Sequence, residues 1–338
     1  MVFVEENKSL KELNSFNVDV EADFFVELSD IDQALEFVRN QLHEYHNVMI
    51  IGGGCNILFT KKYKGLIVKV AFKGIEIIEE NDNDIVLKVN AGEDWTDFVR
   101  YCAAREWGGV ENLAMIPGDV GSSPVQNIGA YGMEVKDVVE SVEAIELASG
   151  LMREFTNAEC KFEYRSSIFK TELQGKYLIT SVIIKLNKNP EFNLQYGSIK
   201  SEIEAMNISK ISCALVEQVI SRIRKEKLPD INHIGSVGSF FKNPVVNKLL
   251  FDKIKEGYRD MPYYKVGSNY KIPAGWLIEQ CGWKGFRCGD AGVYPHQALV
   301  LVNYGDAKGE EIAALSVKIQ SDVEKRFGIK LFPEVTIL

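Results

Sequence analysis

Three short stretches carry side chains able to manage charge and protons on a carboxylate- or carbonyl-bearing substrate. Tyr164-Arg-Ser-Ser-Ile-Phe-Lys170 sets Arg165 and Lys170 among aromatic and hydroxyl groups. An arginine there is either a solvated surface cation or a partly buried fork that polarises a carboxylate or carbonyl. Ile234-Gly-Ser-Val-Gly-Ser-Phe-Phe-Lys-Asn-Pro244 places Ser239 ahead of two phenylalanines, which predicts a partly dry hydroxyl. No Gly-x-Ser-x-Gly is present and no histidine is placed by the sequence as its base, which argues against a serine hydrolase. A positioned proton donor is the role left open to it. Glu334 lies among Pro333, Val335 and Ile337 in an expected terminal strand, as edge decoration or as a functional acid.

Two glycine-rich stretches have the composition of ligand holders. Met115–Gly132 contains Gly118, Gly121, Gly129, Gly132, Pro117 and Pro124, interleaved with Ser122, Ser123, Gln126 and Asn127. Glycine opens positive-φ backbone and lets another molecule touch the main chain, and hydroxyls and amides add short donors. A tight structural crossover would have the same composition. Val48-Met-Ile-Ile51 runs into Gly52-Gly-Gly-Cys-Asn56, where bare N–H groups suit a phosphate as well as a tight turn. Neither Gly-x-Gly-x-x-Gly nor a P-loop lysine is present. A strand, Leu66–Val70, follows where a Rossmann unit would start a helix. The Rossmann fold is disfavoured; a dinucleotide is not.

The elements that must position these groups are of mixed type. Phe24–Leu28, Val48–Ile51 and Leu66–Val70 have strand character, and Ile31, Ala34, Leu35, Val38 and Leu42 have helical spacing behind a capping Ser29 or Asp30. Ile75–Val89 is expected as a hairpin about Asn81–Asp84, and Trp95–Ala103 as a helix. Strands are expected at Val138–Leu147 and Tyr177–Leu186. Later helices are expected after Ser209 or Ser212, at Ala274–Gln280, and from about Asp306 to Phe327. The late cations Arg222, Arg224, Lys225 and Lys227 suit a helix C-terminus, with a ligand role open for Lys227 at a domain junction.

With 338 residues and a formal net charge of −9, the chain has room for two or three domains and lacks the basic surface of a nucleic-acid binder. No apolar run approaches the ~20 residues of a membrane span. The N-terminus lacks a signal-peptide pattern, so a cytoplasmic protein is expected. Six scattered cysteines predict reduced thiols, and no histidine–cysteine spacing suits a metal.

Taken together, Gly52–Asn56, Ile116-Pro-Gly118, Gly121-Ser-Ser-Pro-Val-Gln-Asn-Ile-Gly-Ala-Tyr-Gly132, Tyr164–Lys170, Gly238-Ser-Phe-Phe-Lys-Asn-Pro244 and Pro333-Glu-Val335 resemble UDP-N-acetylenolpyruvoylglucosamine reductase along nearly the whole chain. Tyr196-Gly and the tract Asn247–Tyr270 resemble the longer, type I form, in which a tyrosine covers the substrate. The resemblance implies an α+β chain: a two-subdomain FAD-binding fold of the vanillyl-alcohol-oxidase/PCMH type plus a C-terminal α+β substrate-binding domain. The implied divisions are 1–72 and 73–228 for the FAD-binding subdomains, the second joined by strand 329–338, and 229–328 for the substrate domain.

The family reaction is reduction of UDP-N-acetylglucosamine enolpyruvate to UDP-N-acetylmuramate for peptidoglycan, with non-covalent FAD as cofactor and NADPH as co-substrate. By resemblance, NADPH reduces the flavin, whose N5 then gives hydride to the enolpyruvyl β-carbon; Ser239 protonates the α-carbon while Arg165 and Glu334 flank the carboxylate. FAD would lie against Gly52, Gly53, Gly54, Cys55 and Asn56 on one side. Ile116, Pro117, Gly118, Ser122, Ser123, Asn127, Ile128 and Gly129 would meet it on the other, with the two serines donating to its phosphates or ring. Tyr131, Tyr164, Tyr196, Lys227, Asn243 and Gln297 would hold the substrate. Cys55 stands where the family usually has serine, and a thiol is a weak donor, so that position would act through its backbone. A monomer without membrane or nucleic-acid partners is expected. The rivals are an oxygen-using flavin oxidase on the same fold, often with flavin attached through His or Cys, and a non-catalytic nucleotide-sugar binder.

Overall fold

The computed structural model describes residues 1–208 and 210–338, so Ser209, one of the two expected helix caps, lies outside the described residues. The chain forms two compact units. The first comprises Met1–Lys8, Ala22–Gly53 and Lys64–Arg224; the second comprises Ser9–Glu21, Gly54–Tyr63 and Lys225–Leu338.

In the first unit, Glu5–Ser9, Glu21–Leu28, Tyr63–Val70 and Val48–Ile51 form a sheet in that spatial order. Its last two strands are parallel, with Val48 opposite Leu66. The helix Ile31–Asn40 starts as its sequence dictates: the Asp30 carboxylate accepts from Gln33 N, and Gln33 Oε1 accepts from Ser29 N at 2.7 Å. A second sheet orders Met152–Thr156, Val139–Glu146, Tyr177–Asn187, Asp84–Asn90 and Ile75–Glu80, all antiparallel. Asn81 Oδ1 closes the expected hairpin by accepting from Asn83 N and Asp84 N, both at 2.8 Å. The two sheets lie on either side of residue 72 and contribute to one buried cluster. Val70 and Phe72 sit in the same buried cluster as Leu87, Trp95 and Phe98.

The second unit has its own core. Gly235–Ser239, Val300–Asn303, Ala291–Val293 and Arg287–Cys288 form its main sheet, and the helix Gly309–Phe327 ends on Gly328 at φ 67°. The tract after Asn247 folds into the helix Lys248–Gly257, capped by Asn247, and the hairpin Tyr264–Val266/Asn269–Lys271. The terminal segment 329–338 does not join residues 73–228 as expected. Thr336 and Ile337 pair in parallel with Ile57 and Leu58, and Leu331 and Val335 are buried in the second core. Two residues of strand suffice there because apolar burial of the flanking side chains supplies the stabilisation.

The segment Leu10–Val18, which has no clear periodicity, turns out to be a brace. Buried Asn14 donates to Leu10 O at 2.7 Å and Val18 O at 3.0 Å, and accepts from Val18 N at 3.1 Å. Asn14→Ala orphans these backbone groups and is expected to cost roughly 2–4 kcal/mol of unfolding free energy, read by denaturant titration. A loss under about 0.5 kcal/mol would show that the segment is not braced this way. No helix among the described residues is long and apolar enough to cross a membrane.

Candidate active site

In the first unit the loop 115–132 and Arg165, which holds it, are built from unusual backbone. Met115, Asn127, Tyr131 and Arg165 have φ between 47° and 55° without being glycine, four of the ten such residues described. Each costs about 1 kcal/mol or more, and such residues gather where function fixes the chain. Arg165 grips the loop: Nη1 donates to Asn127 O at 3.3 Å and Nη2 donates to Gly129 O. Gly129 has no room for a side chain, since a Cβ would lie 2.8 Å from Arg165 Nη1. Tyr164 lies under the same guanidinium, 5.4 Å from its ring centroid.

Tyr131 and Tyr196 meet edge to face at 6.0 Å, so two expected substrate residues from separate stretches are neighbours. Behind Tyr131 lies Arg224, which the sequence suggested only as helix-end charge. Its Nη2 donates to Met115 O at 3.3 Å, and its Nε is buried without a hydrogen-bond partner among the described residues. Burial holds this guanidinium below its ordinary proton affinity, opposed by the Tyr131 hydroxyl and reinforced by Arg165. A spacing signal existed: Arg224 falls four residues after Ile220 and eight after Val216, on the buried stripe of Cys213–Lys227.

In the second unit, Ser15 links two functional stretches. Its N–H donates to Gly54 O at 3.2 Å and its carbonyl accepts from Ser236 N at 2.7 Å. Gly238, at φ 74°, turns the strand just before Ser239. Ser239 is exposed, whereas Phe240 and Phe241 are buried in the core. Next to it, Glu334 N donates to Phe240 O at 2.8 Å, and Phe241 bridges Pro333. Asn56 Nδ2 donates to Glu334 O at 3.2 Å. Thus Ser239, Glu334 and the end of the first glycine loop are tied together, while Arg165 belongs to the other unit. Asn243 and Gln297 converge at the start of the helix Ala274–Gln280: Asn243 Oδ1 accepts from Ala274 N at 2.8 Å, and a Cβ on Gly275 would lie 2.8 Å from Gln297 Oε1. Lys227 is exposed.

Residues 229–338 match the family described as UDP-N-acetylenolpyruvoylglucosamine reductase, C-terminal domain, and residues 22–156 match the FAD binding domain. The UDP-N-acetylenolpyruvoylglucosamine reductase of Flavobacterium johnsoniae is 44% identical over 337 residues, covering 99% of each chain. That of Bacteroides fragilis is 43% identical over 336 residues, covering 99% of this chain and 100% of its own. The chain belongs to the UDP-N-acetylenolpyruvoylglucosamine reductase family. The fold of the family reductase from Thermus caldophilus superposes with a TM-score of 0.69 over 100% of this chain and 99% of that one, at 22% identity.

The backbone of this reductase fits a dinucleotide such as FAD. Among the described residues the N–H groups of Gly118 and Asp119 make no hydrogen bond, which leaves them as donors to an anion. Gly54 adopts φ 64°, and a Cβ there would lie 2.0 Å from Leu13 O. Gly54→Ala must therefore shift the first loop. FAD affinity is expected to fall at least about tenfold, measured by quenching of flavin fluorescence.

The side chains of the second loop also make hydrogen bonds within the chain. Ser122 Oγ donates to Asp119 O and buried Ser123 Oγ to Val120 O, both at 2.7 Å. Both contacts brace the turn from within. Asn127 is fully buried; its amide donates to Glu134 Oε2 and Glu163 O and accepts from Lys136 N. It holds the loop's shape through its side chain.

Proposed function

We propose that this reductase converts UDP-N-acetylglucosamine enolpyruvate into UDP-N-acetylmuramate with NADPH, as a cytosolic monomer supplying peptidoglycan precursors. It is an FAD-dependent oxidoreductase. Bound FAD would supply the hydride chemistry that connects NADPH with the enolpyruvyl β-carbon. The Gly52–Asn56 and Ile116–Gly129 backbones would hold it.

This chain's side chains then manage charge. Negative charge grows at the α-carbon and spreads into the carboxylate, where Arg165 faces it with a guanidinium already oriented by two carbonyls. Ser239 gives its proton to the α-carbon. Glu334 is placed by its own backbone bond to Phe240, so acid and proton donor keep one spacing. Because Ser239 is exposed and its phenylalanines turn inward, exclusion of water falls to the bound substrate and cofactor. Tyr131, Tyr164, Tyr196, Lys227, Asn243 and Gln297 bind the nucleotide sugar, with Lys227 neutralising pyrophosphate. NADPH and sugar occupy the site in turn. The observation that carries this reading is the pairing of Glu334 with Phe240, next to Ser239, together with the Asn56–Glu334 bond.

Absorbance at the flavin band tests it. NADPH alone should bleach the flavin and the enolpyruvyl sugar should restore it. Bleaching that the sugar cannot reverse would remove the substrate and leave a flavoprotein. Denatured protein is expected to release FAD on heating and to show the unmodified chain mass; a flavin-sized adduct would favour the oxidase alternative, with Cys55 as attachment point.

A further inference from the structure

The Asp119 backbone N–H is a candidate anion donor, but its carboxyl has no part in the chemistry above and packs against Gly52 of the first cofactor loop. A Cβ on Gly52 would lie 3.0 Å from Asp119 Oδ2 and 3.3 Å from its Cβ. The main chain on both sides is pinned: Trp95 N donates to Gly118 O at 2.9 Å and Val120 N to Glu93 O at 2.8 Å, bridging Asp119 to Asp94. Among the described residues neither its N–H nor its carboxyl makes a hydrogen bond. The charged groups facing it are Lys69 on Tyr63–Val70, Lys73 just beyond, and Glu93 and Asp94 ahead of the helix Trp95–Ala103. Lys69 is 3.3 Å from Glu27 and Lys73 is 3.9 Å from Glu93, so neither cation is dedicated to Asp119. Burial is the strongest influence and Lys73 opposes it; with Asp94 and Glu93 adding repulsion, the carboxyl is pushed up to about 6.

We propose that Asp119 meets the FAD pyrophosphate as a neutral carboxylic acid that donates a hydrogen bond, so FAD binding takes up one proton at this residue. The inference rests on the assignment of Gly52–Asn56 as the phosphate-side loop. A pyrophosphate brought beside a half-buried carboxylate disfavours its charged form further, so the bound-state proton affinity exceeds that of the free protein. The sign follows by linkage. FAD affinity is constant below about pH 6 and falls by about tenfold per pH unit between the free and bound values. It levels off above them.

The test is titration of FAD into the deflavinated protein between about pH 5 and about pH 9 by flavin fluorescence, with calorimetry in two buffers of different ionisation enthalpy to count protons. Wild type is expected to lose at least about tenfold in affinity across this range and to take up a proton on binding. Asp119→Asn is expected to bind FAD with nearly flat pH dependence and no uptake. Asp119→Ser serves if the asparagine variant does not fold. Wild-type affinity that is flat with pH, or a variant that keeps the slope, overturns the proposal. FAD binding without proton uptake overturns this inference alone; no FAD binding at any pH overturns the cofactor assignment with it.

Discussion

Ser239→Ala is expected to leave NADPH-driven bleaching of the flavin close to wild type while slowing turnover of the enolpyruvyl sugar by about 10²–10⁴-fold, the range of a lost general acid. The two half-reactions separate because the hydroxyl acts only when a proton must reach the α-carbon. The change removes one exposed oxygen from a strand whose neighbours Phe240 and Phe241 hold the core, so stability should move little. Rapid-mixing absorbance resolves the two steps. Equal slowing of both would remove Ser239 as proton donor and make it a positioning residue for the flavin.

Arg165→Lys is expected to lower kcat for the sugar by about 10²–10³-fold, about 3–4 kcal/mol of lost transition-state stabilisation. A lysine keeps the charge but cannot reach Asn127 O and Gly129 O together and still face a substrate carboxylate. It must also adopt φ near 54° without the second anchor. The loss should fall on kcat and kcat/KM together, the pattern of a contact that strengthens in the transition state. Unchanged kcat with raised KM would instead make Arg165 a ground-state anchor.

Much of the architecture was legible because it depends on neighbours a few residues apart. Asp30 with Gln33, Asn81 with Asn83 and Asp84, and Gly328 at its helix end follow from short-range hydrogen bonding and φ preference. The brace at Leu10–Val18 was not legible. It has no period, and its value lies in one buried asparagine and in Ser15, which serves strands far away in sequence. Arg224 was hidden by its company, since three other cations near it made solvation at a helix end a sufficient account. For Ser122 and Ser123 composition shows a hydroxyl but not the backbone carbonyls of Asp119 and Val120 that lie within its reach.

By itself the sequence determined the chemical inventory: two glycine stretches too bare for ordinary packing, and an arginine, a serine and a glutamate in a fixed order with motif-level neighbours. That inventory sufficed for the family and its reaction class. Only the tertiary structure decided that Asn56 bonds to Glu334 across 278 residues, and that 329–338 closes on Ile57–Leu58. It also decided that Phe240 and Phe241 are buried while Ser239 is exposed, and that Asp119 lies against Gly52. The reason is physical. Turn, cap and strand preferences are set within a few bonds, whereas which distant groups meet is set by how buried apolar faces pack, a property of the whole chain.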